Sequence, residues 1–179
     1  MTKEERYVVN PLVRWLKCQK ATWQVYKPSY GTSATGWDIE ARRKNQDLLI
    51  EAKYIDGAFL ASFTGLVTAS LANRRQHFMI QKYRSWCHHV CWAIGSDRPQ
   101  NDIFQILFDY IARNPKFWKH YAEDVRMKYV FFVRSGRVSR IPFSLVLHLA
   151  ERYAPEASNK TLLERRKVAG HLIRNFRFS

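Results

Sequence analysis

The spacing of apolar residues predicts a helix and then a strand at the start of the chain. Between Glu4 and about Gln19, apolar side chains recur on one stripe at about 100° per residue, the period of an amphipathic helix. Pro11 lies inside that predicted helix, so a kink or a later helix start is expected there. Trp23–Lys27 alternates like a strand, and the Ser-, Thr- and Gly-rich segment Pro28–Gly36 predicts a loop.

The following segments predict a β-hairpin, a helical stretch and a buried strand. Trp37–Arg43 and residues 48–53 are strand-like, and the polar residues 44–47 between them form the expected turn. Residues 57–83 are a mixed apolar stretch, which predicts one long helix or two short ones. His89–Ile94 is typical of a buried strand. The predicted order of elements up to this point is therefore αβββαβ.

The second half of the chain predicts helices around one more hairpin. The predicted elements are helices at Asp102–Ala112, Lys116–Tyr121, Leu145–Arg152 and Thr161–Asn175, and a strand at Lys128–Arg134 that turns at Ser135-Gly136 and returns to Pro142. The stretch Gly95–Asn101 is the best boundary, which gives a core at 1–95 and a mostly helical extension at 96–179. A single compact unit agrees equally well with the pattern.

The charge of the chain indicates a polyanionic partner. Lys and Arg number 30 against 15 Asp and Glu, so the formal net charge is +15. Residues 126–179 carry much of the surplus, with twelve basic residues against three acidic ones. Such a field attracts nucleic acid, because each neutralised phosphate releases counterions. DNA is the expected partner and RNA remains open, whereas the plainer interpretation is a basic surface that only keeps the protein soluble.

Membrane and secreted classes do not fit the composition. No apolar run approaches the roughly 18 residues that cross a bilayer, so no membrane association is expected. The first residues, Met1–Arg6, lead into an amphipathic pattern rather than a secretory signal. Three cysteines, an odd number, do not make a disulfide framework and suit a reducing compartment. We therefore expect a cytoplasmic protein.

The predicted hairpin contains one group of residues that could form a catalytic site. Asp38 begins the first strand, and Glu51 and Lys53 lie near the end of the second, where alternation projects both to one face. The hairpin folds these ends together, and two carboxylates a few ångströms apart repel unless a cation lies between them. Mg²⁺ (or Mn²⁺) suits such hard oxygen ligands, with the Ala52 carbonyl as a third.

A metal held in this way implies phosphodiester hydrolysis. It would polarise the phosphate and lower the pKa of a bound water, while Lys53 orients that water or stabilises charge on the phosphate. We favour charge stabilisation, because an amine beside two carboxylates ordinarily keeps its proton. The plainer interpretation makes Asp38 a turn residue and Glu51 and Lys53 a surface pair. Glu40 shares the face of Asp38 and is the main rival carboxylate, more naturally a partner of nearby arginines.

Asp38, the triplet Glu51-Ala52-Lys53 after an apolar strand, and the order αβββαβ resemble the PD-(D/E)xK nuclease superfamily over residues 4–94. The resemblance implies a restriction-endonuclease-like fold that cuts nucleic acid with a divalent metal. It also implies a glutamate on the first helix that completes the site, for which Glu5 matches best and Glu4 second. Two features depart from the pattern: Trp37 precedes Asp38 where proline is typical, and no Gln-x-x-x-Tyr motif follows Lys53.

Basic runs and a Cys/His segment supply further candidates. Contacts to nucleic-acid phosphates are assigned to Arg42, Arg43 and Lys44, which are expected to border the site, and to Arg74 and Arg75. Cys87–Cys91 contains zinc-type ligands, but a strand sends its histidines to opposite faces, so buried cysteines are the better account.

The expected function is a magnesium-dependent DNA endonuclease. A homodimer would suit the cutting of two strands, although no residue demands one. The first alternative is a non-catalytic nucleic-acid-binding protein on a nuclease-like fold. The second is a subunit whose basic surface meets an acidic protein, which a weak salt dependence of DNA affinity would indicate.

Overall fold

A mixed β-sheet with helices on both faces forms the centre of the protein. The computed structural model describes residues 1–19, 23–26, 37–44, 46–57, 59–80 and 88–175, and within 59–80 it describes the side chains of 61–72. Its six strands lie side by side in chain order. They are β1 (Gln24–Tyr26), β2 (Ile39–Arg43), β3 (Gln46–Tyr54), β4 (His88–Gly95), β5 (Met127–Arg134) and β6 (Arg137–Pro142). Strands β3, β4 and β5 run parallel, and the other neighbouring pairs are antiparallel.

Helices account for most of the remaining described residues. Helix α1 consists of a π-helical segment (Glu5–Val9) and an α-helical segment (Asn10–Lys17). The others are α2 (Phe59–Ile80), α3 (Gln100–Ala112), α4 (Pro115–Asp124), α5 (Phe143–Ala157) and α6 (Leu162–Arg174). Over the part of the chain that the structure describes, none of these helices combines the length and the apolar character needed to pass through a membrane.

The sheet is buried on both faces, as its parallel strands predict. Alternate residues of β3 and β4 enter two separate apolar clusters, so that Leu49 and Trp92 point to one face and Ile50 and Cys91 to the other. Side chains from α2 to α6 cover the first face. Helix α1 covers the second face with Val8, Val9, Leu12 and Leu16. The site described below lies at one end of this sheet.

Helix α1 departs from a regular α-helix just before Pro11. The amide N–H of Asn10 donates to the carbonyl of Glu5, five residues earlier, which is the hydrogen bond of a π-helix. Proline lacks an amide hydrogen, and its ring collides with the carbonyl four residues earlier in an α-helix. The widened turn accommodates that conflict without ending the helix, where the sequence predicted a kink or a later start.

Most elements predicted for the second half are present. Asn114 and Pro115 separate α3 from α4, and the Asn114 side chain caps α4 by accepting a hydrogen bond from the amide of Phe117. Ser135 and Gly136 have φ angles of 49° and 77°, which suits the tight turn between β5 and β6. Both strands continue the sheet beyond β4. The predicted loop Pro28–Gly36 lies outside the described residues.

A substitution at Gly95 tests how closely α1 packs on the sheet. A Cβ added there would lie 2.4 Å from Cγ2 of Val8, a stiff β-branched side chain. We expect Gly95→Ala to lower the free energy of unfolding by about 1–3 kcal/mol, measured by urea denaturation. Gly65→Ala is the control, because no atom lies within 4 Å of its added Cβ and alanine favours its helix. Equal stability changes in the two variants would contradict the packing described.

Candidate active site

The candidate active site lies where β2 begins and β3 ends. The last β2–β3 pair is Ile39 with Ile50, and Asp38 and Glu51 each lie one residue beyond it. The amide N–H of Asp38 donates to the carbonyl of Ile50 at 3.2 Å. The amide N–H of Ala52 donates to Oδ2 of Asp38 at 2.7 Å. The Asp38 carboxylate therefore accepts the hydrogen bond that a backbone carbonyl of a neighbouring strand would accept. This bond holds the carboxylate against the β3 backbone.

Lys53 and Glu4 complete the cluster of charges around Asp38. Lys53 Nζ lies 3.8 Å from Oε2 of Glu4, and both side chains are partly exposed. By strand alternation Lys53 shares a face with Glu51, as the sequence predicts. The structure therefore brings together Asp38, Ala52, Lys53 and Glu4, and register places Glu51 beside Asp38.

The start of α1 is held at the end of β3 by contacts on either side of Glu4. Lys3 Nζ lies 3.0 Å from Oδ2 of Asp56. The rings of Tyr7 and Tyr54 are 5.5 Å apart. Glu5 is half-buried at the first residue of the π-helical segment. Glu4, the second choice in the sequence analysis, is thus the residue whose carboxylate pairs with Lys53.

The surroundings of Asp38 favour its protonated form. Burial is the main cause that raises the pKa of Asp38, to about 6, and the negative charge of Glu4 raises it further. The hydrogen bond from the Ala52 amide and the positive charge of Lys53 act in the opposite direction. Two neighbouring carboxylates with too little compensating charge are unfavourable. The site is therefore one that a cation would stabilise.

The raised pKa predicts a pH-dependent gain in stability on Asp38→Asn. Since the folded-state pKa exceeds the unfolded value, folding binds a proton between about pH 4 and 6, and stability is lost as pH rises through that window. Asparagine keeps an acceptor for the Ala52 amide without the charge. We expect the variant to be about 2 kcal/mol more stable near pH 7, with the difference fading towards pH 4 in urea titrations. A difference that is constant across this range would contradict the assignment.

The donor set fits a hard divalent cation. Among the described residues, no group of three or more His, Cys, Asp or Glu side chains is arranged to hold a metal ion. Mg²⁺ requires less, because proteins commonly hold it by one or two carboxylates together with waters and substrate phosphates. Asp38 offers an oxygen besides Oδ2, and Glu4, Glu51 and the Ala52 carbonyl lie near it in the fold.

The basic run of the hairpin lies away from this cluster. Arg42, Arg43 and Lys44 are at the opposite end of β2 from Asp38, roughly 13–20 Å away over four to six residues, so they do not border the site as expected. Arg42 lies near Glu40 (3.9 Å) and near Asp47. The guanidinium of Arg43 lies over the ring of Trp23. The side chains of Arg74 and Arg75, on α2, are outside the described residues.

Asp47 and the Cys/His segment have structural contacts. Asp47 belongs to β3 rather than to the turn, because the turn is shorter than expected and β3 begins at Gln46. Its Oδ2 lies 3.2 Å from Nε2 of the buried His88. Burial raises the pKa of Cys91 to about 12, so its thiol stays protonated and weakly nucleophilic. Cys87 lies outside the described residues.

A polar pair beside the site was not predicted from the sequence. The hydroxyl of Tyr54 donates a short hydrogen bond to Oδ2 of Asp97, which joins the end of β3 to the residues after β4. That bond, more than burial, raises the pKa of Tyr54 to about 12. The only signal in the sequence was the position of Tyr54 directly after Lys53.

Comparisons of the chain with protein-family models, with curated proteins and with solved structures found no match. The site is therefore interpreted from its own geometry.

Proposed function

We propose that the chain is a metal-dependent nuclease that hydrolyses phosphodiester bonds in DNA. The observation that carries the proposal is the position of Asp38. Its carboxylate is fixed by the Ala52 amide at 2.7 Å, and it lies close enough to Glu4 and Lys53 for both charges to change its pKa. Carboxylates gathered beside an ammonium group are suited to binding a cation and a phosphate together.

The fold and the charge support the same proposal. The described elements begin with one helix, three strands, a helix and a parallel strand, the order expected of a PD-(D/E)xK nuclease. The formal net charge of +15 supplies the long-range attraction that a nucleic-acid enzyme needs. We infer a restriction-endonuclease-like core on these grounds, with Asp38, Glu51 and Lys53 as its motif residues.

In the proposed mechanism each residue has a separate task. Asp38 and Glu51, with the Ala52 carbonyl and Glu4 nearby, would hold Mg²⁺. When bound, the ion would supply polarisation of the phosphodiester and a lower pKa for a coordinated water. The Ala52 amide fixes the orientation of the Asp38 carboxylate. Glu4 pairs with Lys53 and keeps its ammonium group beside Asp38. The ammonium charge of Lys53 then stabilises the negative charge that develops on the phosphate during attack by water.

A cleavage assay tests this function. Purified protein is incubated with supercoiled plasmid, linear duplex DNA, single-stranded DNA and RNA in Mg²⁺ or Mn²⁺, with EDTA as the control. We expect nicking or cutting of DNA that stops in EDTA. Products that run as linear plasmid without a nicked intermediate would support a homodimer that cuts both strands.

A non-catalytic nucleic-acid-binding protein is the second candidate. The formal net charge of +15 supports this candidate equally, because it attracts nucleic acid whether or not a bond is cut. That candidate predicts salt-dependent DNA binding with every substrate intact in the same assay. Intact substrates together with weak, salt-insensitive binding would contradict both candidates.

A further inference from the structure

A cavity of about 560 Å³ opens at the end of the sheet where β4 and β5 finish. Its volume lies within the range of roughly 300–1,000 Å³ that is typical of ligand sites. Ile94, Ile103 and Phe132 form an apolar wall. Its described lining residues all lie at Ile94 or later in the chain, so it is separate from the residues that hold Asp38.

The rim of this cavity is basic. Arg98, Arg134 and Arg137 line it, and no acidic residue does so in the described part of the chain. Arg134 and Arg137 are exposed and face each other across the β5–β6 turn. Neither has an acidic partner among the described residues. A pair of unneutralised guanidinium groups beside a cavity is suited to the bidentate recognition of phosphate oxygens.

Two arginines of helix α6 have acidic partners, unlike Arg134 and Arg137. Arg165 lies 3.7 Å from Asp109, and Arg166 lies 3.3 Å from Asp102, so these cations are paired with α3. Arg134 and Arg137, which have no acidic partner among the described residues, therefore differ from these paired arginines. The cavity is also lined by Gln100, the first residue of α3, where amide groups without a helical partner favour an anion.

The sheet register connects the cavity to the candidate active site. Lys53 pairs with Ile94, and Ile94 pairs with Phe132, so the three residues are neighbours on one face. Neighbouring strands are about 4.8 Å apart, which places the cavity wall one to two strands, roughly 5–10 Å, from Lys53. A nucleic-acid strand whose scissile phosphate contacts Lys53 would pass the mouth of this cavity.

We propose that the cavity binds a backbone phosphate of the nucleic acid, a few nucleotides from the bond that is cut. Arg134 and Arg137 contact the phosphate oxygens, and the apolar wall packs against the adjoining sugar. The contact positions the strand over Lys53 and takes no part in the chemistry. This inference rests on the proposed nucleic-acid substrate.

The test measures DNA affinity against salt concentration, in EDTA so that no DNA is cut. The double variant Arg134→Gln/Arg137→Gln is compared with Arg113→Gln/Arg152→Gln. This control removes one exposed arginine at the C-cap of α3 and one on α5. We expect at least tenfold weaker binding by the cavity variant and a slope of log K against log salt that is smaller by about 1, the change for one lost phosphate contact. The control should keep a slope near that of the wild type.

A second variant shows whether weaker binding comes from the lost charges or from misfolding. Arg134→Lys/Arg137→Lys keeps both charges and should restore most of the salt slope, whereas unfolding or misfolding of the glutamine variant would appear as a lower thermal midpoint. Equal losses in the cavity variant and in the Arg113/Arg152 control would overturn the proposal.

Competition distinguishes the sources of phosphate. Closed circular DNA, which has no ends, should show the same loss of affinity as linear DNA. A loss confined to 5′-phosphorylated ends, or seen only with a nucleoside monophosphate, would overturn the backbone assignment. If the wild type cuts no DNA yet the cavity arginines still determine its affinity, the proposed function fails and the cavity assignment stands. If the wild type cuts DNA and the cavity variant keeps the wild-type affinity and salt slope, only the cavity assignment fails.

Discussion

Replacing Asp38 with asparagine is expected to slow DNA cleavage by at least about 10²-fold, the loss typical when one catalytic group is removed. Asparagine has the same shape and still accepts the Ala52 hydrogen bond, so the hairpin end keeps its geometry. It lacks the negative charge that holds a cation. DNA affinity should change little, because phosphates are attracted by the basic surface.

Single-turnover cleavage with Mg²⁺ measures this effect, and fluorescence anisotropy measures binding. The matched control is Asp124→Asn, which changes an exposed carboxylate at the end of α4. The combination of lost activity and increased stability near pH 7 would show that Asp38 is retained for chemistry. A variant that cuts DNA at the wild-type rate would contradict the assigned role.

Lys53→Met should also slow cleavage by about 10²-fold or more, since the ammonium charge beside the phosphate is lost. Lys53→Arg keeps a positive charge at this position and should retain more activity than methionine. Because Lys53 lowers the pKa of Asp38, its loss should move the acidic limb of the pH–rate profile to higher pH.

The control for Lys53 is Lys119→Met, an exposed lysine on α4 whose partner is Glu151. It should cut DNA at close to the wild-type rate. If arginine and methionine at position 53 were equally inactive while the pH profile stayed in place, charge stabilisation by Lys53 would be the wrong description.

The hairpin that carries the site was predictable because local signals agreed. An apolar run, a polar turn and period-two alternation specify β2 and β3, and register then brings Asp38 and Glu51 to adjacent positions. The break between α3 and α4 was equally local, since Asn114 caps a helix that begins with Pro115.

The assignments that differed depended on geometry that the pattern does not contain. The sequence left Glu4 and Glu5 both open as the helix carboxylate, and only the folded contact shows that Glu4 pairs with Lys53. A turn shorter than expected moved Asp47 into β3. The hairpin arginines are near Asp38 in sequence, but an extended strand separates them in space.

The cavity was out of reach of the sequence analysis for another reason. Its walls come from β4, α3, β5 and β6, which only the sheet order brings together. Arg134 and Arg137 gave no signal beyond their charge. Their relevance depends on the register that links Phe132 and Ile94 to Lys53.

The central claim is that carboxylates around the Ala52 amide bind a divalent cation, and Mn²⁺ binding followed by electron paramagnetic resonance tests it most directly. The wild type should take up Mn²⁺, and Mg²⁺ should displace it. Asp38→Asn should bind at least tenfold more weakly, while Glu40→Gln, which changes the rival carboxylate paired with Arg42, should bind like the wild type. Equal uptake by the wild type and Asp38→Asn, or none by either, would contradict the account.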